Sequence, residues 1–431
     1  MSNLIQIIDK QPEKFLNQLA SAKADDLDRV LLSVAEITSR VRREGDKAVV
    51  DYTRRFDGVD ITPDKFRLTE SDCQAAADSC EPELKKALET AYGRICEYHK
   101  KQLFDSWSVQ GEDGETLGQK ITPVESAAVY APGGKAAYPS SVLMGVAAAR
   151  VAGVKRVVLL SPPDEKTGMN PAVLFAAGLT GVDEIYRIGG AQAIAAAAYG
   201  TGTIRPVEVI VGPGNIYVTA AKKLVFGTVN VDMLAGPSEI LVIADNSANP
   251  AWVAADMLSQ AEHDERAGCL LITTSRELAG KVPAEIEKQL ETLPKKEIAA
   301  ESITNYGAII LAGSLDQAAA LSNRFAPEHL ELIVSDPQAL LEKIRNAGAI
   351  FLGPYTPEAV GDYWAGPNHV LPTGGSARCF SPLGVHVFLK RSSIISFNRQ
   401  AFDKAAGPVT VIARAEGLEA HARSVEIRKE L

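Results

Sequence analysis

Residues 181–226 read GVDEIYRIGGAQAIAAAAYGTGTIRPVEVIVGPGNIYVTAAKKLVF, and this stretch decides the fold. Asp183–Ile188 is a β-prone run, Ala191–Gly200 an alanine-rich helix, Pro206–Val211 an apolar strand and Asn215–Phe226 a second helix. Apolar strands alternating with helices predict a parallel sheet covered on both faces. The same rhythm continues outward. Upstream lie a helix at Ser140–Val154, a strand at Lys155–Leu160 and a helix at Pro171–Gly181; downstream lies a strand at Glu239–Ala244. A second run follows, with helices at Pro250–Ala267, Arg276–Leu293, Asp316–Asn323 and Pro337–Ala347. Its strands are Cys269–Thr274, Ala308–Ala312, Leu330–Val334 and Ala349–Leu352. Two α/β runs of similar length make the fold class α/β. A divergent duplication fits them, although no short-period repeat is visible.

The flanks read differently. Residues 11–56 carry apolar side chains at three-and-four spacing and are expected to be helical. Glu81–Leu103 is a further helix, with Pro82 suited to its first turn and His99 on a face among Glu97, Lys100 and Lys101. Asp105–Tyr130 has turn residues between β-prone runs and reads as a hairpin entering a new domain. Gly361–Arg378, GDYWAGPNHVLPTGGSAR, has too much Gly and Pro for a regular element and reads as a long shaped loop of the kind that carries function. The tail after Lys390 reads as helical.

Composition narrows the partners. The 431 residues suit two or three domains, and the net charge of −9 argues against nucleic acid, which needs a basic surface. Apolar runs such as Ala193–Tyr199 are far shorter than a membrane span, and the amino-terminal residues show no secretory signal. Five cysteines at irregular spacing, without CxxC, suggest reduced thiols in a cytoplasmic protein.

Four glycine-rich turns border the predicted strands: Ala131–Gly134, Gly189–Gln192, Gly212–Asn215 and Ala235–Ser238. Backbone N–H groups at such turns cradle phosphate, and open parallel sheets bind ligands beyond the carboxyl ends of their strands. Any one of them is an ordinary tight turn or cap, and none is a full G-x-G-x-x-G; together they point to a nucleotide without identifying it. Five of the six histidines follow residue 260. Gln260 and His263 share a helical face at i, i+3 spacing, which also suits a simple helix-terminal His. Glu328 and His329 are adjacent after Pro327, and in a bend both reach one pocket as two bases. Asp362 and His369 stand in the long loop, and Glu416 and His421 in the tail. Imidazole, carboxylate and amide oxygen suit zinc without any thiolate. Residue types and spacing reach an α/β nucleotide-linked enzyme with donors that suit zinc, and stop there.

The stretches YAPGGKAAYPSSVLM, GGAQAIAAAAYG, GPGN, AGPSEILVIAD, SQAEHD, FAPEHL, GDYWAGPNHVLPTGG and EGLEAHARSVEIR resemble the histidinol dehydrogenase family through nearly the whole chain and in the family's order. His386-Val387 departs from the aromatic-Asp pair expected there, and Phe104–Gln119 matches no family motif. The resemblance implies two incomplete Rossmann-like domains: a discontinuous first from 26–129 and 239–381, carrying most metal and substrate residues, and an NAD-binding second from 130–238. A helical segment at 1–25 and a tail at 382–431 that reaches a partner subunit complete it. The implied activity is oxidation of L-histidinol through L-histidinaldehyde to L-histidine with two NAD, the last two steps of histidine biosynthesis. Gln260, His263, Asp362 and His421 would be zinc ligands, one zinc per subunit. Glu328 and His329 would be the bases, with Tyr130, Gln192 and Asn215 at NAD. Ser238, His369 and Glu416 would contact substrate together with Gln260, His263, His329, Asp362 and His421. Glu416 and His421 would complete the neighbour's pocket in a homodimer. A relative acting on another alcohol, a zinc hydrolase and a non-catalytic paralogue are the rival readings. The intact His369, Glu416 and His421, the glycine turns and the Glu328-His329 pair argue against them in that order. No cysteine lies in the matched motifs, which argues against a thiohemiacetal through Cys269 or Cys379.

Overall fold

Runs of Val, Ile and Leu too apolar to face water on either side form two six-stranded sheets. The computed structural model describes residues 4–133, 138–163 and 168–429, of which 20–26 by backbone alone. Sheet I has the order Gln6–Ile8, Gly307–Leu311, Gly268–Thr273, Glu239–Ala244, His329–Ile333, Ala349–Leu352, all parallel. Sheet II has the order Arg67–Leu68, Glu184–Arg187, Arg156–Ser161, Ser126–Tyr130, Val209–Val211, Asn230–Val231; it is parallel except for Arg67–Leu68 at its edge. Arg67–Leu68 and Ser126–Tyr130, from the 26–129 segment, thus pair into the sheet of the 130–238 segment.

Leaving out the first strand of each, both sheets run third–second–first–fourth–fifth in chain order. The order reverses between Glu239–Ala244 and His329–Ile333 in sheet I and between Ser126–Tyr130 and Val209–Val211 in sheet II. Such reversals open a crevice at the carboxyl ends of the strands. The central strands are buried along their whole length, and the helices between them bury apolar stripes on both sheet faces. At roughly 1.5–3 kcal/mol for each fully buried Val, Leu or Ile, this two-faced core outweighs any local propensity.

Most of these elements are in one unit, Met1–Gln102 with Glu125–Phe388; Leu103–Val124 with Leu389–Leu431 forms the second. The amino-terminal helices are Pro12–Glu44 and Asp46–Asp57, divided at Gly45, whose φ of 59° suits glycine. His99, expected on a helix face, is fully buried in the Pro82–Lys100 helix, on the stripe of Leu88, Ala91 and Ile95. The second unit holds the antiparallel sheet Leu389–Ser396, Thr116–Pro123, Trp107–Gln110 and the helices Arg399–Ala415 and Glu419–Glu426.

Four expectations about elements change. The tail begins as the strand Leu389–Ser396, because its partner, Thr116–Pro123, is far away in sequence. Lys296–Tyr306 is a helix that the sequence reading passed over. The helix from Pro250 stops at Ala261, where the charged run that follows caps its own turn: the Arg266 N–H donates to Asp264 Oδ1. The helix from Pro337 ends at Leu341.

Candidate functional site

A cavity of about 790 Å³ opens in the first unit, lined by both sheets' loops. Sheet II contributes Ser140 and Ser141 from the start of the Pro139–Ala152 helix and Pro213, Gly214 and Asn215 after Val209–Val211. Sheet I contributes Ser238, Gln260, His263, Glu328 and His329, the helical turn Glu358–Val360 adds Glu358, and the long loop adds Asp362 and His369. Ser238 precedes the strand Glu239–Ala244, and His329 is the first residue of its own strand. The sheet I residues therefore sit at the amino ends of their strands, whereas the sheet II turns sit at carboxyl ends. The general rule predicts carboxyl ends for both. The turn Ala235–Ser238, expected beyond a carboxyl end, lies before an amino end instead.

The bend at Pro327 lets the two neighbours share a pocket. The Glu239 N–H donates to Glu328 Oε2 at 2.9 Å, and the Glu239 carbonyl lies 3.0 Å from His329 Nδ1. A carbonyl has no proton to give, so Nδ1–H donates to it and the tautomer is set. The Gln260 amide nitrogen is 3.1 Å from the same Nδ1, but its hydrogens go to Glu358 Oε1 and Oε2 at 2.7 and 2.8 Å once the amide is turned to satisfy both its ends. His329 Nε2 is buried without a hydrogen-bond partner, 3.7 Å from Asp362 Oδ1 and 3.8 Å from Glu358 Oε1. Burial drives Glu328 up to about 8, against the pull of His329 and the Glu239 N–H. Burial disfavours a charged His329, yet Glu358, Glu328 and Asp362 outweigh it and raise the imidazole well above its ordinary range.

Asp362 comes from a wide π-helical turn, Gly361–Ala365, of the kind found at functional sites. Its carbonyl accepts from His369 Nδ1 at 3.1 Å, and His369 Nε2 faces the Ser141 hydroxyl at 3.4 Å. Burial favours the neutral acid, but the nearby imidazoles of His329, His369 and His263 keep Asp362 below its ordinary value. His263 and His369 are pushed down by burial and stay neutral. An ionised Asp362 and a neutral His263 are the protonation states that bind metal. His329, Glu358 and Asp362 also place donor atoms within 4.8 Å of one another.

Sequence reading missed Glu358, Glu331 and Asp256. Glu331 accepts from the Glu358 N–H at 2.8 Å and stands beside Asp256; burial raises all three carboxyls, Glu358 to about 7 and Asp256 to about 6. The signal was available for Glu358, four residues before Asp362 and so on its side of a helical turn.

The other expected residues are placed as follows. Asn215 is at the cavity wall, capping the Ile216–Val225 helix by accepting from the Tyr217 and Val218 N–H groups. Tyr130 and Gln192 are buried and do not line the cavity. Tyr130 accepts from the Gly190 N–H at 3.1 Å, and Gln192 donates to Asp57 at 3.3 Å while its Oε1 has no partner. Gly134 of the first glycine turn lies outside the described residues. Glu416 and His421 are exposed in the second unit, at the end of Arg399–Ala415 and in Glu419–Glu426. Cys269 is buried in its strand and Cys379 exposed, both away from the cavity wall. His386 lies in the turn Val385–Phe388, also off the wall.

Residues 20–429 match the family described as histidinol dehydrogenase. The chain is 54% identical over 398 residues to the histidinol dehydrogenase of Synechococcus sp., covering 92% of each. It is 53% identical over 397 residues to that of Bacillus subtilis, again 92% of each. The crystal structure of histidinol dehydrogenase from Elizabethkingia anophelis superposes with a TM-score of 0.92 at 36% identity, covering 100% of this chain and 99% of that one.

Proposed function

The chain belongs to the histidinol dehydrogenase family, and on that premise we propose that it oxidises L-histidinol through L-histidinaldehyde to L-histidine, with zinc and two NAD in turn. The observation that carries the mechanism is the set tautomer of His329: Nδ1 is committed to the Glu239 carbonyl and the unpartnered Nε2 is left for chemistry.

The residues fit zinc. Gln260, His263 and Asp362 line one cavity with an amide, a neutral imidazole and an ionised carboxylate, and His421 of a second copy is the fourth ligand we propose. Zinc so held supplies an anchor for the substrate's imidazole and amine, acting as a template. They also fit NAD, since the sheet II crevice has a helix N-terminus at Asn215, reached through Pro213 and Gly214 on the same cavity wall, and a Cβ on Gly214 would stand 2.4 Å from Val218. NAD supplies the electron acceptor for each oxidation.

Once Nε2 has given up the proton that the surrounding carboxylates favour, His329 takes the hydroxyl proton in the first oxidation. Glu328 then takes a proton from water as it adds to the aldehyde, giving the hydrate that the second oxidation turns into the acid. His369, held by Asp362 and Ser141, contacts the imidazole together with Glu416 of the second copy, and Ser238 contacts substrate. An aldehyde must not leave between steps, and polar anchoring reject analogues without the imidazole by about 10⁴-fold. The active species is a homodimer with shared sites, in which 239–381 supplies most of the chemistry and 130–238 the cofactor site. Irregularly spaced cysteines that form no disulfide support a cytoplasmic setting, and no helix among the described residues is long and apolar enough to cross a membrane. The net charge of −9 favours small-molecule over nucleic-acid partners.

The test is NADH formation from L-histidinol before and after chelation. Activity lost to chelator and restored by zinc supports the reading. Turnover that survives complete metal removal, or turnover only of other alcohols, refutes it.

A further inference from the structure

We propose that Lys222 and Asp232 form a buried clamp that positions the NAD turn from behind; this rests on the cofactor reading above. The pair is an ion pair with side chains 2% and 0% exposed. Lys222 Nζ donates to the Gly212 carbonyl at 3.0 Å. Asp232 Oδ2 accepts from the Gly212 N–H at 2.8 Å, and Oδ1 accepts from the Met233 N–H at 2.7 Å. Both peptide groups of one residue are therefore held by opposite charges.

Gly212 is where the order of sheet II reverses. Its φ is 113°, and a Cβ there would stand 2.2 Å from the Tyr130 carbonyl oxygen, so the turn lies directly on the end of Ser126–Tyr130. Asn215, three residues on, opens the helix in which Lys222 lies two turns later. Asp232 begins the strap that leads through Leu234 to Ser238, and the Thr219 hydroxyl ties that helix to the strap by donating to the Ala235 carbonyl at 2.7 Å. Pro213, Gly214, Asn215 and Leu234 line the cavity, whereas Lys222 and Asp232 do not. The charges cannot reach a ligand; they act through the backbone they hold.

Burial of an ion pair is a weak route to stability, since an apolar pair of the same volume often serves as well. What the ions add here is two directed hydrogen bonds, one to each peptide group of a single residue. Loss of that direction should weaken NAD specifically.

The experiment is calorimetric titration with NAD, and separately with L-histidinol, of the zinc-loaded dimer and two variants, Asp232→Asn and Lys222→Met/Asp232→Asn. The double variant leaves no unpaired buried charge. The expected result is a folded double variant with NAD affinity reduced about ten- to a hundredfold, about 1.4–2.7 kcal/mol, and histidinol affinity within twofold of the parent. KM for NAD should rise in step while kcat at saturating NAD is largely kept. Unchanged NAD affinity, equal loss for both ligands, or a double variant that does not fold would each overturn the clamp. A parent protein that binds histidinol and zinc but no NAD would instead show that the cofactor reading itself had failed.

Discussion

The two parallel sheets share one strand order and use opposite ends. In sheet II the reversal point between Ser126–Tyr130 and Val209–Val211 is lined by glycine and small residues, with Gly212 laid on the Tyr130 carbonyl. In sheet I the equivalent crevice is filled by the Asp245 carboxylate. Its Oδ1 accepts from the Ser247 N–H and hydroxyl, and its Oδ2 from those of Ser335, at 2.5–2.8 Å. A ligand there would have to displace four hydrogen bonds from a charge that holds itself below its ordinary pKa range through them. Sheet I instead gathers buried ionisable groups at its amino ends. Shared topology gives a crevice in both sheets, and side chains decide whether it is an opening or a plug.

Substitutions separate the acid-rich end from the glycine-rich end. The largest effect is expected from His329→Asn, which should slow oxidation of histidinol by about 10²–10⁴-fold, the usual worth of a general base, with NAD affinity kept. Pre-steady-state NADH formation checks it. Next is Glu358→Gln. Its carboxylate takes both amide hydrogens of Gln260, a ligand in the zinc site we propose, and partners of metal ligands are worth about 10–100-fold in affinity. Competition with a chromophoric chelator should show that loss for zinc, with NAD binding unchanged; equal loss of both would break the separation between the ends. On the other side, Gly212→Ala should lower thermal stability by about 1–3 kcal/mol from its left-handed backbone alone, plus the clash with Tyr130, read from a denaturant melt. The smallest effect is with pH. Glu328 must lose its proton to act as a base, and its pKa of about 8 means aldehyde oxidation should rise through that pH and level off above it. A flat profile from pH 7 to 9 would remove Glu328 from that role.

Much of this could be read in the sequence because strand and helix periods differ. The alternation from Ser140 to Leu352 needed only apolar patterning. The Leu389–Ser396 strand was hidden because its partner is hundreds of residues earlier, and pairing over such a separation leaves no local mark. The burial of His99 was hidden by its charged sequence neighbours, although Leu88, Ala91 and Ile95 on its own stripe pointed inward. Among site residues, motif-bearing side chains such as Gln260, His263, Glu328, His329 and Asp362 were found, and the structure brings these five into one cavity. Glu331, Glu358 and Asp256 were missed because a buried acid looks like any other acid until its neighbours are known. The placement of the chemistry at amino ends followed from no motif, since it depends on how the two sheets face the cavity.

The division of labour between the two bases is tested most directly by NADH stoichiometry with limiting L-histidinol and excess NAD, for the parent and for Glu328→Gln. The account predicts two NADH per histidinol from the parent and one, with aldehyde accumulating, from Glu328→Gln. Two NADH from the variant at the parent's rate, or equal loss of both oxidations, would contradict it.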